Sequence, residues 1–296
     1  MYSIGNWWEP ATVDETLATL KDHPDARLIA GGTDLIIKMN GGQIDETDCI
    51  SLHKVEELRD ISALEDGGLW IGAMATFARL AKEPLVEERL PILAQGARSM
   101  GGPQIRNMAT LGGNVCNGAV SADGAPALVA AEALLVLRTA DGERRVPIGE
   151  FYLGPSKVDL KPDELLLGFV IPPHVGYGGE YIKFSPRKAM DISMLGCAVL
   201  CALEDDGRIR DLKIALGTSA PTPIRCPQAE ALASGEVMSD ALVNRVGETA
   251  VTEASPRNSW RAAADYRKIM IEELVKRAVK AAWHRAGGET DENDSM

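Results

Sequence analysis

Residues 28–40 have the sequence LIAGGTDLIIKMN, and this stretch decides how the N-terminal part of the chain folds. The order of an apolar run, a Gly-Gly pair and a Thr-Asp pair predicts a short buried strand, a tight turn and a helix that starts at Thr33-Asp34. Glycine lets another group approach the backbone, so that neighbouring amide N–H groups can converge on an anion. The stretch therefore predicts either a capped turn without a ligand or a phosphate site.

A second stretch of the same character, ATLGGNVCNGAVSADGAPAL, occupies residues 109–128. Alone it also fits a turn, here capped by Asn114, but two such segments in one chain favour a common ligand. Asp123 is either the N-cap of the helix predicted to follow it or a partner for ribose hydroxyls. Neither stretch contains a Walker motif or a Gly-x-Gly-x-x-Gly after a strand, which disfavours a P-loop NTPase and a Rossmann domain.

The composition is that of a globular protein with more than one packed unit. The chain has 296 residues, 45% of them hydrophobic and 25% charged, and a net charge of −12. Two or three packed units are expected at this length. Because lysine and arginine form no cluster in the sequence, nucleic acid and anionic membranes are poor partners. A bound anion must then be held mainly by backbone amides.

The cysteines and histidines do not form a metal-binding pattern. No Cys-x-x-Cys or His-Glu-x-x-His motif occurs, so neither a disulfide framework nor a metal site is predicted for this chain. The N-terminus lacks a basic segment followed by an apolar run, and no window of about 18 apolar residues occurs. We therefore predict a cytoplasmic protein in which most of the five cysteines are buried, reduced thiols, the five being Cys49, Cys116, Cys197, Cys201 and Cys226.

The remaining elements indicate mixed helices and strands. Thr12, with Glu15 three residues later, predicts a capped opening helix. Two hairpins are predicted, with turns at Asp66-Gly67-Gly68 and Asp141-Gly142, and helical segments lie between them. Proline and glycine concentrate in PPHVGYGGE at residues 172–180, which favours a domain boundary there. Three strand-like runs and then helices follow this boundary.

Several polar residues outside the glycine-rich stretches are further candidates. Lys183 is either a solvated lysine at a strand edge or a ligand contact. Gln104, Arg106 and Asn107 cluster in PQIRNMAT and could contact a ligand or a partner chain. Asp191 lies between apolar residues and is interpreted as closing a turn at a strand end.

The two glycine-rich stretches together resemble the FAD-binding, or medium, subunit of the molybdenum hydroxylases, the xanthine dehydrogenase family. The likeness continues in the same order through GPQIRN, DELLLGFVIPP, YIKFSPRKAMDIS and SAPTPIRC, and so covers nearly the whole chain. The last three segments resemble especially the separate FAD-binding subunits of bacterial xanthine dehydrogenases.

This resemblance implies an α+β protein with an FAD-binding fold of the vanillyl-alcohol oxidase type. Residues 1–176 would form the FAD-binding domain, with two α/β subdomains of about 1–55 and 56–176. Residues 177–286 would form an α+β domain like the C-terminal domain of carbon monoxide dehydrogenase flavoproteins. Residues 287–296 are predicted to be a disordered acidic tail.

The resemblance also implies which residues contact the cofactor. The first segment would wrap the FAD pyrophosphate with Leu28, Ile29, Ala30, Gly31, Gly32, Thr33, Asp34 and Leu35. The second would run along the adenosine diphosphate and the flavin with Thr110, Gly113, Asn114, Asn117 and Asp123, with Cys116 as a bystander. Further flavin-proximal positions are Met100, which stands where animal enzymes have phenylalanine, Leu166 and Lys183. No catalytic residue is predicted, because the flavin supplies the redox chemistry.

The implied function is electron transfer within a larger enzyme. Electrons would come from a [2Fe-2S] small subunit and pass through FAD to NAD or another acceptor, while a molybdopterin-binding large subunit hydroxylates a substrate, with xanthine or another purine expected. The complex would be a dimer of heterotrimers. The sequence lacks the cysteine-bearing insertion of the 4-hydroxybenzoyl-CoA reductase flavin subunit, which disfavours that activity.

Three alternatives stay open from the sequence. The subunit could belong to a related hydroxylase of the nicotinate or carbon monoxide dehydrogenase type. It could be a stand-alone FAD-dependent reductase of the same fold, such as an enolpyruvyl reductase. It could also be an assembly subunit that keeps the fold without a redox cofactor.

Overall fold

The structure is a computed structural model that describes residues 3–289. Its strands are β1 (Ile4–Trp8), β2 (Arg27–Ile29), β3 (Thr47–Ser51), β4 (Ile61–Ala63), β5 (Leu69–Gly72), β6 (Leu134–Arg138), β7 (Glu143–Pro147), β8 (Tyr152–Gly154), β9 (Lys157–Val158), β10 (Leu165–Ile171), β11 (Tyr177–Phe184), β12 (Leu195–Leu203), β13 (Ile209–Gly217) and β14 (Ile224–Arg225). Its α-helices are α1 (Val13–Asp22), α2 (Leu35–Asn40), α3 (Phe77–Leu80), α4 (Pro84–Arg89), α5 (Pro91–Ser99), α6 (Pro103–Met108), α7 (Leu111–Cys116), α8 (Ala125–Ala130), α9 (Ile148–Phe151), α10 (Pro227–Ala231), α11 (Asp240–Glu253) and α12 (Ala264–Arg285).

The N-terminal residues form a three-stranded parallel sheet in the order β1-β3-β2. Helix α1 begins as predicted, because the Thr12 hydroxyl accepts a hydrogen bond from the Glu15 amide at 3.1 Å. The Glu15 carboxylate accepts from the amide of Ala11 at 2.7 Å instead of completing the box on Thr12. The apolar face of α1 packs on β3 in a small core. This core fixes β2, from which the first glycine-rich segment emerges.

The middle of the chain forms a five-stranded antiparallel sheet in the order β4-β5-β10-β6-β7. Both predicted hairpins are confirmed, since β4 pairs with β5 and β6 pairs with β7. Helices α3, α5 and α8 belong to the large core that includes this sheet, with Phe77, Phe151 and Phe169 among its most buried side chains. The second glycine-rich stretch, residues 109–128, follows α6 and contains α7 and the first part of α8.

A four-stranded antiparallel sheet in the order β11-β12-β13-β14 follows, with α11 and α12 among the helices of its core. Every residue of β12 except its last is buried. Because side chains alternate along a strand, Cys197 and Val199 pack in the core that contains α12. Ala198 and Leu200 pack on the opposite side, in the large core of the middle region. Burial on both faces explains the continuous apolar run in the sequence.

The expected α+β class is confirmed, and one local expectation needs correction. The second glycine-rich stretch, for which a turn capped by Asn114 was one interpretation, contains the short helix α7, which is capped by Thr110 instead. No helix within residues 3–289 is long and apolar enough to cross a membrane. Of the predicted acidic tail, residues 290–296 lie outside the described residues. The division of the chain near residues 55 and 176 stays a prediction.

Candidate functional site

The first glycine-rich segment turns sharply at the end of β2. A Cβ at Gly31 would overlap the carbonyl oxygen of Met108, and Gly32 has a φ of +70°. Both positions therefore require glycine, the first for close packing and the second for a left-handed backbone. Helix α2 then begins after Asp34, whose side chain makes no capping hydrogen bond.

The turn leaves a row of backbone donors without partners. Among the hydrogen bonds of residues 3–289, none is donated by the amide groups of residues 31–34 to a protein atom. Unpaired amides of consecutive residues form a concave donor surface suited to an anion.

The second segment lies directly beside the first. A Cβ at Gly112 would lie 2.7 Å from both the carbonyl oxygen and the Cβ of Ala73, so this glycine packs helix α7 on the middle sheet region. A Cβ at Gly113 would lie 3.0 Å from the Thr110 hydroxyl oxygen and 3.8 Å from the Cβ of Ala30 in the first segment. The Thr110 hydroxyl caps α7 by accepting from the Gly113 amide at 3.1 Å.

A cleft of about 850 Å³ runs between the two segments. Its volume lies within the range of small-molecule and cofactor sites, about 300–1,000 Å³. All predicted cofactor-binding residues except Lys183 line it, namely Leu28, Ile29, Ala30, Gly31, Gly32, Thr33, Asp34, Leu35, Met100, Thr110, Gly113, Asn114, Asn117, Asp123 and Leu166.

A buried polar cluster surrounds Asp123 at the cleft. Lys183 does not line the cleft but donates from Nζ to Asp123 Oδ2 at 2.8 Å and to the Ser99 carbonyl oxygen at 3.2 Å. The Ser193 hydroxyl donates to Asp123 Oδ1 at 2.5 Å, and the Tyr181 hydroxyl donates to the same oxygen at 3.4 Å. The side chains of Asp123 and Lys183 are each only 8% exposed.

The contacts in this cluster distinguish between the alternatives that the sequence left open for Lys183 and for Asp123. The interpretation of Lys183 as a solvated edge lysine is wrong, because its ammonium is buried against a carboxylate. The N-cap interpretation of Asp123 is also wrong, since Gly124 is the N-cap of α8 and no side chain caps that helix. Burial raises the pKa of Asp123, whereas the ammonium of Lys183 and the hydrogen bonds act in the opposite direction.

The two asparagines of the second segment have different partners. Asn114 Oδ1 accepts from the Gly124 amide at 3.3 Å and so fixes the turn before α8. Asn117 Oδ1 accepts from Lys38 Nζ at 2.5 Å, which joins α2 to the end of α7. Lys38 also lines the cleft but was missed from the sequence. In the sequence, Lys38 could have been noticed because it is the only charged residue of the apolar helix α2.

Further lining residues come from distant parts of the sequence and carried no recognisable pattern. Ala73, Met74 and Ile192 are among them. Asp191 also lines the cleft, and it closes a turn as predicted by accepting from the Arg187 amide at 2.9 Å. The hydrogen bond from the Arg187 side chain lowers the pKa of Asp191.

The other polar candidates, Gln104, Arg106 and Asn107, do not line the cleft. Gln104 and Asn107 are exposed on α6, while the Arg106 guanidinium donates to the carbonyl oxygen of Met100 at 2.9 Å. Cys116 lines the cleft and is half-buried, and desolvation raises the pKa of its thiol to about 12. The thiol is therefore protonated near neutral pH.

Two family models match the chain. The model described as the FAD binding domain in molybdopterin dehydrogenase matches residues 2–174, and the CO dehydrogenase flavoprotein C-terminal domain matches residues 180–282. The chain is 39% identical to the xanthine dehydrogenase FAD-binding subunit of Escherichia coli O157:H7, over 97% of this chain and 99% of that protein. It is 33% identical to the carbon monoxide dehydrogenase medium chain of Hydrogenophaga pseudoflava, over 93% of this chain and 96% of that protein.

Solved structures share the same fold over almost the whole length. A chain of carbon monoxide dehydrogenase from Hydrogenophaga pseudoflava has a TM-score of 0.91 and 32% identity, covering 96% of this chain and 99% of its own. A chain of quinoline 2-oxidoreductase from Pseudomonas putida 86 also has a TM-score of 0.91, with 26% identity and coverage of 97% and 99%. The fold expected from the resemblance is thus confirmed. This chain belongs to the family of FAD-binding oxidoreductase subunits of the molybdenum hydroxylases, which includes the xanthine dehydrogenase FAD-binding subunits.

Proposed function

We propose that the cleft binds FAD and that the chain is the electron-transfer subunit of a xanthine or related purine dehydrogenase. Electrons from a [2Fe-2S] subunit would pass through the FAD to NAD or another acceptor. Substrate hydroxylation would take place on a separate molybdopterin-binding subunit.

The observation that carries this proposal is the row of unpaired amides at residues 31–34 beside an open cleft. These donors suit a diphosphate without requiring lysine or arginine at each oxygen. This matters in a chain of net charge −12, which has no broad positive field to hold an anion. Gly113 also lines this cleft, and a Cβ there would lie 3.8 Å from the Cβ of Ala30, so a larger side chain would narrow the space for the ligand.

The other lining residues suit the remaining parts of the cofactor. Asn117 and Asp123 offer polar atoms for hydroxyl or ring groups, and the Lys183 cluster fixes the Asp123 carboxylate in one orientation. Met100 and Leu166 supply apolar surface for an aromatic ring system. When bound, FAD supplies the redox chemistry, so these residues bind and orient it and exclude water.

The partners and the acceptor are proposed from the relatives. Similarity to a xanthine dehydrogenase subunit favours a purine substrate, and similarity to a medium chain favours assembly with large and small subunits. We propose a dimer of such heterotrimers, with NAD as the acceptor. The five cysteines are all free, which is typical of a reducing compartment and supports the cytoplasm as the location.

The cofactor proposal is tested by flavin content after purification with added FAD. We expect a bound-flavin spectrum and stoichiometric FAD. Gly113→Val should weaken FAD binding by more than about tenfold, because the new side chain fills the cleft. Gly149→Val is the matched control, since Gly149 lies in a short helix and a Cβ added there would have no neighbouring atom within 4 Å. A Gly113→Val protein that keeps normal FAD affinity would contradict this site.

The acceptor is tested by adding NADH to the FAD-loaded chain without oxygen. Bleaching of the flavin absorbance would support NAD as the redox partner. Absence of bleaching in a chain that retains FAD would show that another acceptor serves the enzyme.

A further inference from the structure

The segment between α11 and α12 holds an ordered surface loop. The Ser255 amide donates to the Ser219 carbonyl oxygen at 2.9 Å, and the Ser259 amide donates to the Ala262 carbonyl oxygen at 3.0 Å. Asn258 Oδ1 accepts from the Ala264 amide at 2.7 Å. These bonds fix the conformation of the loop before α12 begins.

Arg267, in the first turns of α12, is a buried cation without an acidic partner. It is only 3% exposed. Its guanidinium donates to the Met194 carbonyl oxygen and to the Ser259 hydroxyl, while its Nε has no acceptor. Burial lowers its pKa, and the neighbouring charges of Arg257 and Arg261 lower it further. A buried charge in this setting is costly until a counter-charge reaches it.

Three neighbouring residues, Arg257, Trp260 and Arg261, form what we call the arginine surface, and the buried Arg267 lies close to its two arginines. Trp260 is 86% exposed, and the Arg261 guanidinium lies 4.2 Å from the centre of its indole ring. Arg261 Nε is buried and also lacks an acceptor. Within residues 3–289, none of the three arginines forms an ion pair, and neither does the exposed Asp265 in the same turn.

The arginine surface is joined to the cleft by three consecutive residues. Ile192 lines the cleft, the Ser193 hydroxyl donates to Asp123, and the Met194 carbonyl accepts from Arg267. A protein bound at the arginine surface would therefore lie close to the cofactor-binding residues.

We propose that the arginine surface docks a partner protein whose contacting segment carries aspartate or glutamate side chains. Exposed tryptophan and arginine dominate the energetics of many interfaces. A carboxylate of the partner would give an acceptor of opposite charge to the exposed Arg257 and the half-buried Arg261, which form no ion pair within the described residues. Because the whole chain carries a charge of −12, an acidic partner is repelled by most of its surface and attracted here. Identifying that partner as the electron-donating iron–sulfur subunit rests on the function proposed above.

The test measures binding between the FAD-loaded full chain and the iron–sulfur subunit of its complex by titration calorimetry. Trp260→Ala and the double change Arg257→Ala with Arg261→Ala should each weaken binding by more than about tenfold. The double variant should also show a weaker dependence of binding on salt, because charge pairs have been removed. Arg245→Ala is the matched control, since Arg245 is exposed on α11 and forms no ion pair within the described residues.

Other results would overturn the proposal. Unchanged affinity in both variants, with unchanged melting temperature, would exclude this surface as the docking site. Stabilisation of the chain by inorganic phosphate that is lost in the double variant, with normal subunit binding, would show a small-anion site instead. Flavin content is measured on the same samples. Absence of FAD from the wild-type chain would contradict the proposed function. Loss of subunit binding in a variant that retains FAD would support the docking surface.

Discussion

The two glycine-rich segments have similar sequences but need their glycines for different reasons. At Gly31 and Gly112 the space of a side chain is occupied by the backbone of another segment, and at Gly32 the backbone itself is left-handed. Gly113 is helical and borders the cleft, where a side chain would extend towards Ala30. Three of these glycines are therefore required by the fold, whereas the fourth lines the cleft and lies tightly only against the Thr110 hydroxyl.

The largest effect is expected at Gly31. Gly31→Val places a branched side chain on the Met108 carbonyl oxygen, so the two segments must separate. We expect a loss of about 4 kcal/mol or more in the free energy of unfolding, measured by urea denaturation. Gly149→Val serves as the control, and equal stability of the two variants would show that the contact at Met108 is not constrained.

Asp123→Ala tests the charged end of the second segment. Removing the carboxylate leaves the Lys183 ammonium buried without its ion-pair partner, which should cost about 3–5 kcal/mol of folding stability. The double variant Asp123→Ala with Lys183→Met should recover much of this loss in the same denaturation experiment. Additive losses would mean that the pair is not coupled.

Substitutions at the adjacent residues Gly112 and Gly113 compare the two reasons for glycine within one helix. Gly112→Val should destabilise the chain by about 1–3 kcal/mol, because its side chain overlaps Ala73. Gly113→Val should cost less, about 1 kcal/mol, because its close contact is with the Thr110 hydroxyl, whose cap contributes about that much. Thermal unfolding without FAD compares the two, and a reversed order would refute the assignment of one glycine to packing and the other to the cleft.

Thr110→Ala measures how much the cap of α7 contributes to the free energy of unfolding. Loss of the hydroxyl leaves the Gly113 amide without its acceptor, so we expect the free energy of unfolding, measured by urea denaturation, to fall by about 1 kcal/mol. Thr110→Ser keeps the acceptor and should restore most of the stability. If serine and alanine behave alike, the hydroxyl does not stabilise this helix.

The smallest effect is expected at Cys116. Because desolvation raises the pKa of its half-buried thiol to about 12, it should react only slowly with a disulfide reagent at neutral pH in the native protein. Cys116→Ala should leave FAD affinity unchanged within about twofold. Rapid labelling of Cys116, identified by peptide mass, would contradict this role as a bystander.

The parts of the fold that the sequence predicted are those set by local patterns. The Thr12 cap, both hairpins and the apolar β12 each depend on residues close together in the chain. Helix α7 was missed because two glycines have low helix propensity, and its stability depends on the Thr110 cap and on packing against Ala73.

Long-range charge pairing was not accessible from the sequence. Lys183 is 60 residues from Asp123, so nothing near it indicated burial. The predicted cofactor-binding residues come together at one cleft, apart from Lys183. Their contacts with FAD stay a prediction. Lys38, Asp191 and Ile192 were missed as cleft residues because no local motif marks a residue that a distant segment brings there.

The order of the cleft-lining segments along the chain has a consequence for biosynthesis. Residues 28–35 contribute to the cleft early in the sequence, Ile192 contributes much later, and Ser193 anchors Asp123 from just beyond that point. During translation the cleft therefore stays incomplete until about two-thirds of the polypeptide has left the ribosome. FAD present in the cell is expected to be captured late, by a nascent chain whose N-terminal parallel sheet is already available to fold.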